Sequence, residues 1–333
     1  MHTDPQFPQF PFLKEDFWPH DTTLWIKDFK GNDPRFLSYF LPPLKLENFD
    51  VGAASPTLNR NHIHGTKVFF PRERRHQERI AAVLSAYDER MENNRRRIAL
   101  MEKLAEEIYR EWFVCLHFPG HEKVKLVKGR PPTWSPKNFG DIAAFTMGQS
   151  PPSSAYNETR DGRPFHQGVG THGARFLLKQ TYCNVEGRKA RQRNILFSVR
   201  APVGRLNMAD CEMIIGRGLA AIRHRRGYNS YLYYLLKVAL ANEDIIGNGS
   251  IFNSVGKDEL AKFQILHPGD DLVGQFDSLA APIDQQIAIL IKSVDQLIRT
   301  RDLLLRRLIS GKLSVEHLDI QFSPGMVATS NPS

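Results

Sequence analysis

The residues best suited to chemistry in this 333-residue chain are arginines gathered in one stretch. Between Arg160 and Arg226 there are 14 lysines and arginines against 4 acidic residues, a surplus of 10 that accounts for the net charge of +9. A guanidinium group can donate two parallel hydrogen bonds to a phosphate or to the edge of guanine. Clustered cations also release counterions from DNA when they bind it. The stretch therefore predicts contact with nucleic acid, although a solvated basic face would have the same composition.

Hydroxyl, amide and aromatic side chains lie within and beside this stretch. Amides match the edge of adenine, and hydroxyls donate to phosphates. Each residue taken singly is equally compatible with turn chemistry or an ordinary surface position. Arg200 and Arg217 lie in Gly- and Pro-containing motifs, where support of the backbone is an equal alternative to DNA contact. The candidate DNA-binding residues are Ser150, Ser153, Tyr156, Asn157, Arg160, Arg163, Gln167, Arg175, Asn248, Ser250, Asn253 and Lys257.

Composition and spacing argue against several other classes of protein. The chain is 41% hydrophobic and 24% charged, which is typical of a globular protein, and we expect neither a membrane span nor a signal peptide but a cytoplasmic protein. Three cysteines are too few for a disulfide framework or a structural zinc site. The glycines from Gly168 to Gly173 have dinucleotide-motif spacing without the surrounding βαβ pattern. We therefore predict no metal, no cofactor and no catalytic residue.

The elements that must position these residues come from an internal repeat. Pro34 to Pro71 aligns with Asn229 to Pro268, so that Phe36 and Tyr39 fall on Tyr231 and Tyr234. The block from Phe139 to Glu212 precedes only the second copy, and its short apolar runs, bounded by turn residues, predict an irregular β-rich module. Strands are expected at 141–146, 194–199 and 219–223, and a helix at 231–241. The first module is then truncated.

A long heptad helix follows each copy at a constant offset of 196 residues. The shared 3.5-residue period predicts that the two helices pair as a coiled coil, with Asn94 fixing the register. Pro282 predicts that the second helix begins or kinks there, and Gly311 predicts its end. The seam is expected to contain Leu84, Tyr87, Met91, Ile98, Met101, Ile108, Ile287, Leu290, Val294, Leu297 and Leu304.

Several motifs in order resemble the target-recognition domain of a type I restriction-modification specificity subunit. They are Gly148-Gln-Ser-Pro-Pro-Ser153, Gly162-Arg-Pro-Phe-His-Gln167-Gly168, Ile195-Leu-Phe-Ser-Val-Arg-Ala-Pro-Val-Gly204, Ile215-Gly-Arg-Gly-Leu-Ala220 and Gly249-Ser-Ile-Phe252. The ending from Arg301 to Lys312 resembles the helix that follows the family's second recognition domain. The resemblance covers Trp18 to Val315, and the departure is length, because the family has two complete recognition domains.

The resemblance implies an α+β fold, with β-rich target-recognition domains joined by a pair of long antiparallel coiled-coil helices. It also implies a non-catalytic subunit that binds double-stranded DNA, docks methyltransferase subunits and joins a restriction subunit. Self-association or a complementing chain at the truncated half is left open. The expected domains are a truncated recognition domain (1–74), a first helix (75–116), a linker (117–134), a complete recognition domain (135–272), a second helix (273–318) and a tail (319–333).

Two other function classes compete with this interpretation. A nuclease needs converging acidic residues with a lysine, and the only acidic-x-Lys triplet is Asp28-Phe-Lys30, in the truncated half. A methyltransferase needs a Gly-rich cofactor turn, which is not evident. A coiled-coil scaffold without DNA binding would leave the arginine-rich stretch unexplained.

Overall fold

The computed structural model describes residues 12–13, 15–19, 24–44, 64–241 and 254–320. The chain divides into two compact units, residues 1–97 with 290–333, and residues 98–289. The helices in chain order are α1 (Pro34–Phe40), α2 (Arg74–Phe113), α3 (Phe139–Ile142), α4 (Asn229–Ala241), α5 (Lys257–Lys262) and α6 (Asp270–Ile309). The strands are β1 (Ser135–Asn138), β2 (Ala143–Met147), β3 (Tyr156–Asn157), β4 (Arg163–His166), β5 (Thr181–Cys183), β6 (Lys189–Ala190), β7 (Ile195–Ser198), β8 (Leu206–Met208), β9 (Met213–Ile215), β10 (Leu219–His224) and β11 (Gln264–His267).

The α2 helix runs for 40 residues because nothing in its sequence interrupts it. The nearest helix breakers are Pro71 before it and Pro119 after it. Ion pairs one turn apart support its surface, as between Glu92 and Arg96, whose charged atoms are 3.0 Å apart. One face is apolar, and packing of that face supplies most of the stability of such a helix.

The two long helices pair in antiparallel fashion within each unit. In the first unit, the side chain of Asn94 donates to Ser293 at 3.2 Å, and Asp88 binds Arg301 at 2.6 Å. In the second unit, the rings of Tyr109 and Phe276 are 5.6 Å apart. Along these contacts, the residue numbers rise on α2 while those of their partners on α6 fall. The predicted antiparallel pairing is therefore confirmed.

The expected seam residues differ in burial. Leu84, Met91, Ile287, Leu290 and Val294 are buried. Tyr87, Ile98, Met101, Ile108, Leu297 and Leu304 are half-buried. Asn94 is also buried, and its carbonyl oxygen has no hydrogen-bond partner among the described residues. A polar group left unpaired in a seam costs stability, which is typical of a residue that specifies register.

The expectation for Pro282 is wrong as to where the helix begins. The α6 helix starts at Asp270, and Pro282 lies inside it. A proline inside a helix costs about 3 kcal/mol. The turns before it bury Val273, Phe276 and Ala280 in the core of the second unit, so burial offsets the missing hydrogen bond. The predicted end is confirmed, since α6 stops at Ile309 and Gly311 has a left-handed φ of 70°.

The first unit has a small core around α1. Asp33 caps this helix by accepting a hydrogen bond from the Phe36 amide at 2.7 Å. Phe36 and Phe40 point into a cluster with Ile80, Leu84 of α2 and with Leu308 of α6. The described part of this unit contains no β-strand, and the truncation expected from the repeat stays a prediction.

The second unit contains the β-rich module. An antiparallel sheet has the strand order β2-β10-β7-β8, and a mixed sheet has the order β3-β5-β4-β9-β6, in which β4 and β9 are parallel. Along β7, Ile195 and Phe197 pack in the helix-side cluster, whereas Leu196 packs in the cluster that includes Met213 and Ile215 of β9. The period-two alternation therefore buries both faces of this strand.

The predicted elements of this module are confirmed with small shifts. Strands lie at Ile195–Ser198 and Leu219–His224, and the helix expected at 231–241 spans Asn229–Ala241. The strand expected from Asp141 begins at Ala143, because Asp141 instead closes a capping box on the short α3 helix.

Candidate nucleic-acid interface

Three loops meet beyond the carboxyl ends of β4 and β9. Since these neighbours are parallel, Gln167 and Gly216 follow them at the same edge. The Gly216 amide donates to His166 at 2.8 Å, and the Gln149 amide donates to Ile215 at 3.0 Å. A Cβ atom on Gly148 would lie 2.1 Å from the carbonyl oxygen of Gly216. Glycine is therefore needed where the loops approach.

Side-chain hydrogen bonds hold the polar groups of these loops in place. The Ser150 hydroxyl donates to Oε1 of Gln167 at 2.8 Å and accepts from the Arg217 amide at 3.3 Å. The Tyr156 hydroxyl donates to the Pro151 carbonyl at 2.8 Å. Burial raises the pKa of Tyr156, and the nearby Arg217 guanidinium opposes that rise. The loops thus place a hydroxyl, an amide and an arginine side by side.

Strand register brings further arginines to the same edge. Residue Ser198, at the end of β7, pairs with Leu219, at the start of β10, so Arg200 and Arg217 lie beyond one end of the sheet. Arg205 precedes β8, whose start pairs with the end of β7. The carbonyl of Arg188 accepts from the Ile215 amide at 2.9 Å. We call the exposed set Arg188, Arg200, Arg205 and Arg217 the arginine edge.

A second group of arginines lies at the other end of the same sheet. Arg223 is near the end of β10, where it pairs with Ala144 near the start of β2. Arg191 and Arg193 precede the start of β7, which is also at that end. All three are exposed, and they make no side-chain ion pair within the described residues. The surplus charge is therefore divided between two edges, and the expectation of a single cationic surface is met only in part.

Other cations of the stretch are engaged in ion pairs. Arg163 binds Glu212 at 2.8 Å and Glu186 at 3.0 Å, and these carboxylates raise its pKa. Lys179 binds Asp210 at 2.6 Å. Exposed pairs of this kind contribute little stability, but they lower the net charge available to a phosphate. Further pairs join Lys189 to Glu186 and to Glu212, and Arg226 to Asp270.

Arg175 is not available to DNA in this structure, which corrects its inclusion among the candidates. Its side chain is 1% exposed and binds Asp284 at 2.5 Å. A base or phosphate could reach it only if the second unit opened, because it lies in the protein interior. The sequence showed an arginine in a basic stretch, and only the fold shows that this one is buried.

The other candidate residues occupy varied positions. The amide of Asn157 is used in its own turn, where it donates to the Asp161 carbonyl at 2.9 Å and accepts from the Asp161 amide at 3.0 Å. Arg160 is exposed in a left-handed conformation, and Ser153 and Lys257 are exposed. Asn248, Ser250 and Asn253 lie outside the described residues. Arg200 forms an isolated β-bridge with Ser254, which directly follows that segment.

Three buried histidines, His166, His224 and His267, lie in the second unit. Burial lowers the pKa of His166 and that of His224, each to about 4. Nδ1 of His166 lies 2.9 Å from the Thr171 hydroxyl. The rings of His166 and His224 are therefore neutral at pH 7. Within the described ranges, no group of His, Cys, Asp and Glu could hold a metal ion, and no helix is long and apolar enough to cross a membrane.

Comparison with known proteins finds relatives of one kind. No protein-family model matches the chain. A Methanocaldococcus jannaschii protein with the provisional name type I restriction enzyme MjaX specificity subunit is 29% identical over 315 residues, which cover 91% of this chain and 74% of that protein. The type I restriction enzyme MjaIX specificity subunit of the same organism is 24% identical over 290 residues, which cover 82% and 66%. The chain is therefore similar to type I restriction enzyme specificity subunits along most of its length.

A solved structure supports the fold of this chain. The S subunit of the type I restriction-modification system of M. genitalium has a TM-score of 0.57 at 19% identity, over 85% of this chain and 74% of that one. The α+β fold class is confirmed. The expectation of a specificity subunit, as opposed to a catalytic subunit, is confirmed by the curated relatives. The domain boundaries and the individual DNA-contacting residues stay predictions.

Part of the arginine edge was not predicted from the sequence. Arg188 and Arg205 were not candidates, and Arg200 and Arg217 were weighed equally as backbone supports. The available signal was that each lies within two residues of a strand end. Strand order and register decide which of these ends meet, and neither is readable from periodicity.

Proposed function

We propose that this chain is the DNA sequence-recognition subunit of a type I restriction-modification complex, and that the arginine edge contacts the duplex. The observation that carries the proposal is that four exposed arginines lie at the same end of the β-rich module as Ser150 and Gln167. None of these arginines makes a side-chain ion pair with a described residue. Their charge is therefore not neutralised within the described parts of the chain.

The chemistry of the edge suits both positioning on the backbone and base contact. Guanidinium groups bind phosphates or the edge of guanine, and an amide can bind adenine. Ser150 fixes Oε1 of Gln167, whereas the NH₂ group of Gln167 makes no hydrogen bond with the described residues. A fixed amide with free donors is better prepared to read a base than a rotating one, because less entropy is lost on binding.

The test is a salt titration of duplex binding by the full chain and by a variant with Arg200, Arg205 and Arg217 replaced by alanine. We expect the variant to bind roughly 30-fold or more weakly at low salt, and the slope of log affinity against log salt to fall by up to about 3. Each lost phosphate contact removes about one released counterion, which gives the direction and the size of the change in slope.

The matched control replaces Arg191, Arg193 and Arg223 by alanine. This variant loses the same formal charge from exposed arginines at the opposite edge. It should bind DNA within about threefold of the unmodified chain, since nonspecific attraction alone is affected. Equal losses in the two variants would reject the arginine edge, and an unmodified chain that does not bind at low salt would reject DNA recognition.

The partners follow from the same proposal. Methyltransferase subunits dock on the helix pair, a restriction subunit joins the complex, and the protein acts in the cytoplasm. Leu100 and Leu104 support docking, because their side chains are 68% and 53% exposed on α2. Exposed leucines one turn apart on a helix form a small apolar surface that a partner helix can cover. The proposal includes completion of the truncated half, either by self-association or by a complementing chain.

A further inference from the structure

Arg175 is the largest fully buried side chain among the described residues, and it is charged. Nη2 lies 2.5 Å from Asp284, and Nη1 lies 3.6 Å from Glu102. The guanidinium carbon is 3.8 Å from the centre of the Tyr233 ring, within cation–π distance. Burial alone would lower the pKa of Arg175, but Tyr233 and Asp284 outweigh it and leave that pKa raised. The group is therefore charged in the folded protein.

These contacts join three parts of the second unit through one side chain. Arg175 belongs to the β-rich module, on the connection between β4 and β5, whereas Glu102 is on α2 and Asp284 is on α6. Tyr234 of α4 adds a hydrogen bond from its hydroxyl to Asp284 at 3.0 Å. A buried cation must keep its partners, because an unpaired buried charge is costly. The module is thus tied to both long helices at a fixed point.

The internal repeat contains a second copy of the hydrogen bond between Tyr234 and Asp284. Tyr39 and Asp88 lie 195 and 196 residues before Tyr234 and Asp284, and the Tyr39 hydroxyl donates to Asp88. Here the cation is Arg301, which binds Asp88 at 2.6 Å and comes from α6 itself. Arg301 lines an open cavity of about 670 Å³ and is 27% exposed.

The difference between the copies assigns a role to Arg175. The residue 196 positions before Arg301 is Ala105, which is buried and uncharged. The second copy therefore takes its cation from the recognition module, and the first copy takes it from the helix. If the cation only stabilised the Tyr–Asp pair, an arginine on the helix would serve both copies equally well.

We propose that Arg175 is the positioning residue that seats the β-rich module on the helix pair, so that the arginine edge is held at a fixed orientation for DNA. The inference rests on the proposed function of that edge. Arg175 acts through its neighbours and does not touch DNA itself.

The backbone around Arg175 connects it to the arginine edge. The carbonyl of Arg175 accepts from the Met208 amide at 2.8 Å, on the strand that directly follows Arg205. The Asn207 side chain donates to the Gly173 carbonyl at 2.9 Å. On the other side, Thr171 contacts His166, which directly precedes Gln167. Movement of this segment would displace Arg205 and Gln167 together.

The experiment compares Arg175→Met with Arg301→Met in the full chain. Both variants remove a guanidinium from a Tyr–Asp pair, and each is assayed well below its own midpoint of thermal unfolding. We expect Arg175→Met to weaken DNA binding about tenfold or more, and Arg301→Met to change it less than about threefold. Arg175→Lys, which keeps the charge but loses the planar fork, should recover only part of the affinity.

Amide hydrogen exchange without DNA provides the second readout. In Arg175→Met and Arg175→Lys, exchange should rise at residues 171–178 and 205–208 while the protection of α2 persists. Unchanged exchange in those segments would overturn the positioning role even if the unmodified chain binds no DNA, so the two proposals fail separately. Equal loss of DNA affinity in Arg175→Met and Arg301→Met would also overturn it. If Arg175→Met does not fold, Arg175→Lys is judged by the same outcomes.

Discussion

The two units use the same tyrosine–aspartate pair in different ways. In each, a tyrosine from a short helix donates its hydroxyl to an aspartate of a long helix, Tyr39 to Asp88 and Tyr234 to Asp284. The first unit neutralises its aspartate with the partly exposed Arg301, whereas the second uses the buried Arg175. The pair is therefore part of the helix scaffold, and the source of the cation differs between the unit with the β-rich module and the unit whose described residues contain no strand.

This difference shows that the features that pair the long helices do not depend on the β-rich module. The heptad seam, the capped helix α1 and the Tyr39–Asp88 pair form in the first unit without any described strand. In the second unit, the module adds three sheets and is joined to the same kind of scaffold through Arg175. The described part of the first unit thus contains the features that pair the helices.

The largest expected effect tests the burial difference between the two aspartates. Asp284→Ala leaves Arg175 buried without its closest partner and should lower the free energy of unfolding by about 3–5 kcal/mol. Asp88→Ala leaves Arg301 with Asp302 at 2.8 Å and with access to solvent, so about 1 kcal/mol is expected. Urea unfolding of both variants measures the two losses, and equal losses would remove the distinction between the units.

An intermediate effect concerns the exposed leucines of α2. Replacing Leu100 and Leu104 by Asp should weaken co-purification with the methyltransferase subunit about tenfold or more, because each buries apolar surface on docking. The folded stability should change little, since both are exposed. By contrast, Leu297→Asp with Leu304→Asp should destabilise the helix pair, because these side chains are half-buried.

The matched control for docking replaces Leu178 and Val185 by Asp. Both are exposed apolar residues of the β-rich module, 52% and 41% exposed. Their replacement should leave the methyltransferase association unchanged. The docking surface is misassigned if this control and the Leu100 and Leu104 variant lose association equally.

The smallest effect is a pH dependence that only the second unit should contribute. The pKa values of His166 and His224 are depressed from 6.5 to about 4, so the unfolded chain takes up protons first as the pH falls. Their contribution to stability is complete above pH 6.5 and is lost as the pH falls towards 4. We expect the melting temperature to drop by roughly 5 °C from pH 7 to pH 5.

The histidine variants refine this expectation. His166→Gln with His224→Gln should reduce the change in melting temperature between pH 7 and pH 5. Burial also lowers the pKa of His172 and that of His267, so part of the change should persist. Replacing the exposed His117 by Gln should leave the slope as it was. A slope that is identical in all three proteins would show that other groups cause the acid sensitivity.

The sequence predicted the elements better than the site. Helix pairing followed from the shared heptad phase, and the strands at Ile195–Ser198 and Leu219–His224 followed from apolar runs bounded by turns. The prediction that α6 begins at Pro282 was wrong. Burial of Val273 and Phe276 stabilises the helix before Pro282 and overrides the low helix propensity of proline. Hydrophobic periodicity shows which side of a single helix or strand is apolar, and this was sufficient to predict these elements.

The candidate interface needed information that a single sequence does not contain. Arg175 and Arg217 look alike as members of one basic stretch, yet one is buried beside Asp284 and the other is exposed beside Ser150. The distinction depends on strand register and on a carboxylate more than 100 residues away. Charge counting could therefore predict the kind of partner but not which cations face it.

Amide hydrogen exchange of the full chain with and without a DNA duplex at low salt tests the central claim most directly. The account predicts that DNA slows exchange in the loops of the arginine edge, at residues 148–150, 167–168, 200–205 and 216–218. Slower exchange confined to residues 191–194 and 223–227, at the opposite edge, would contradict it, as would no change in either edge.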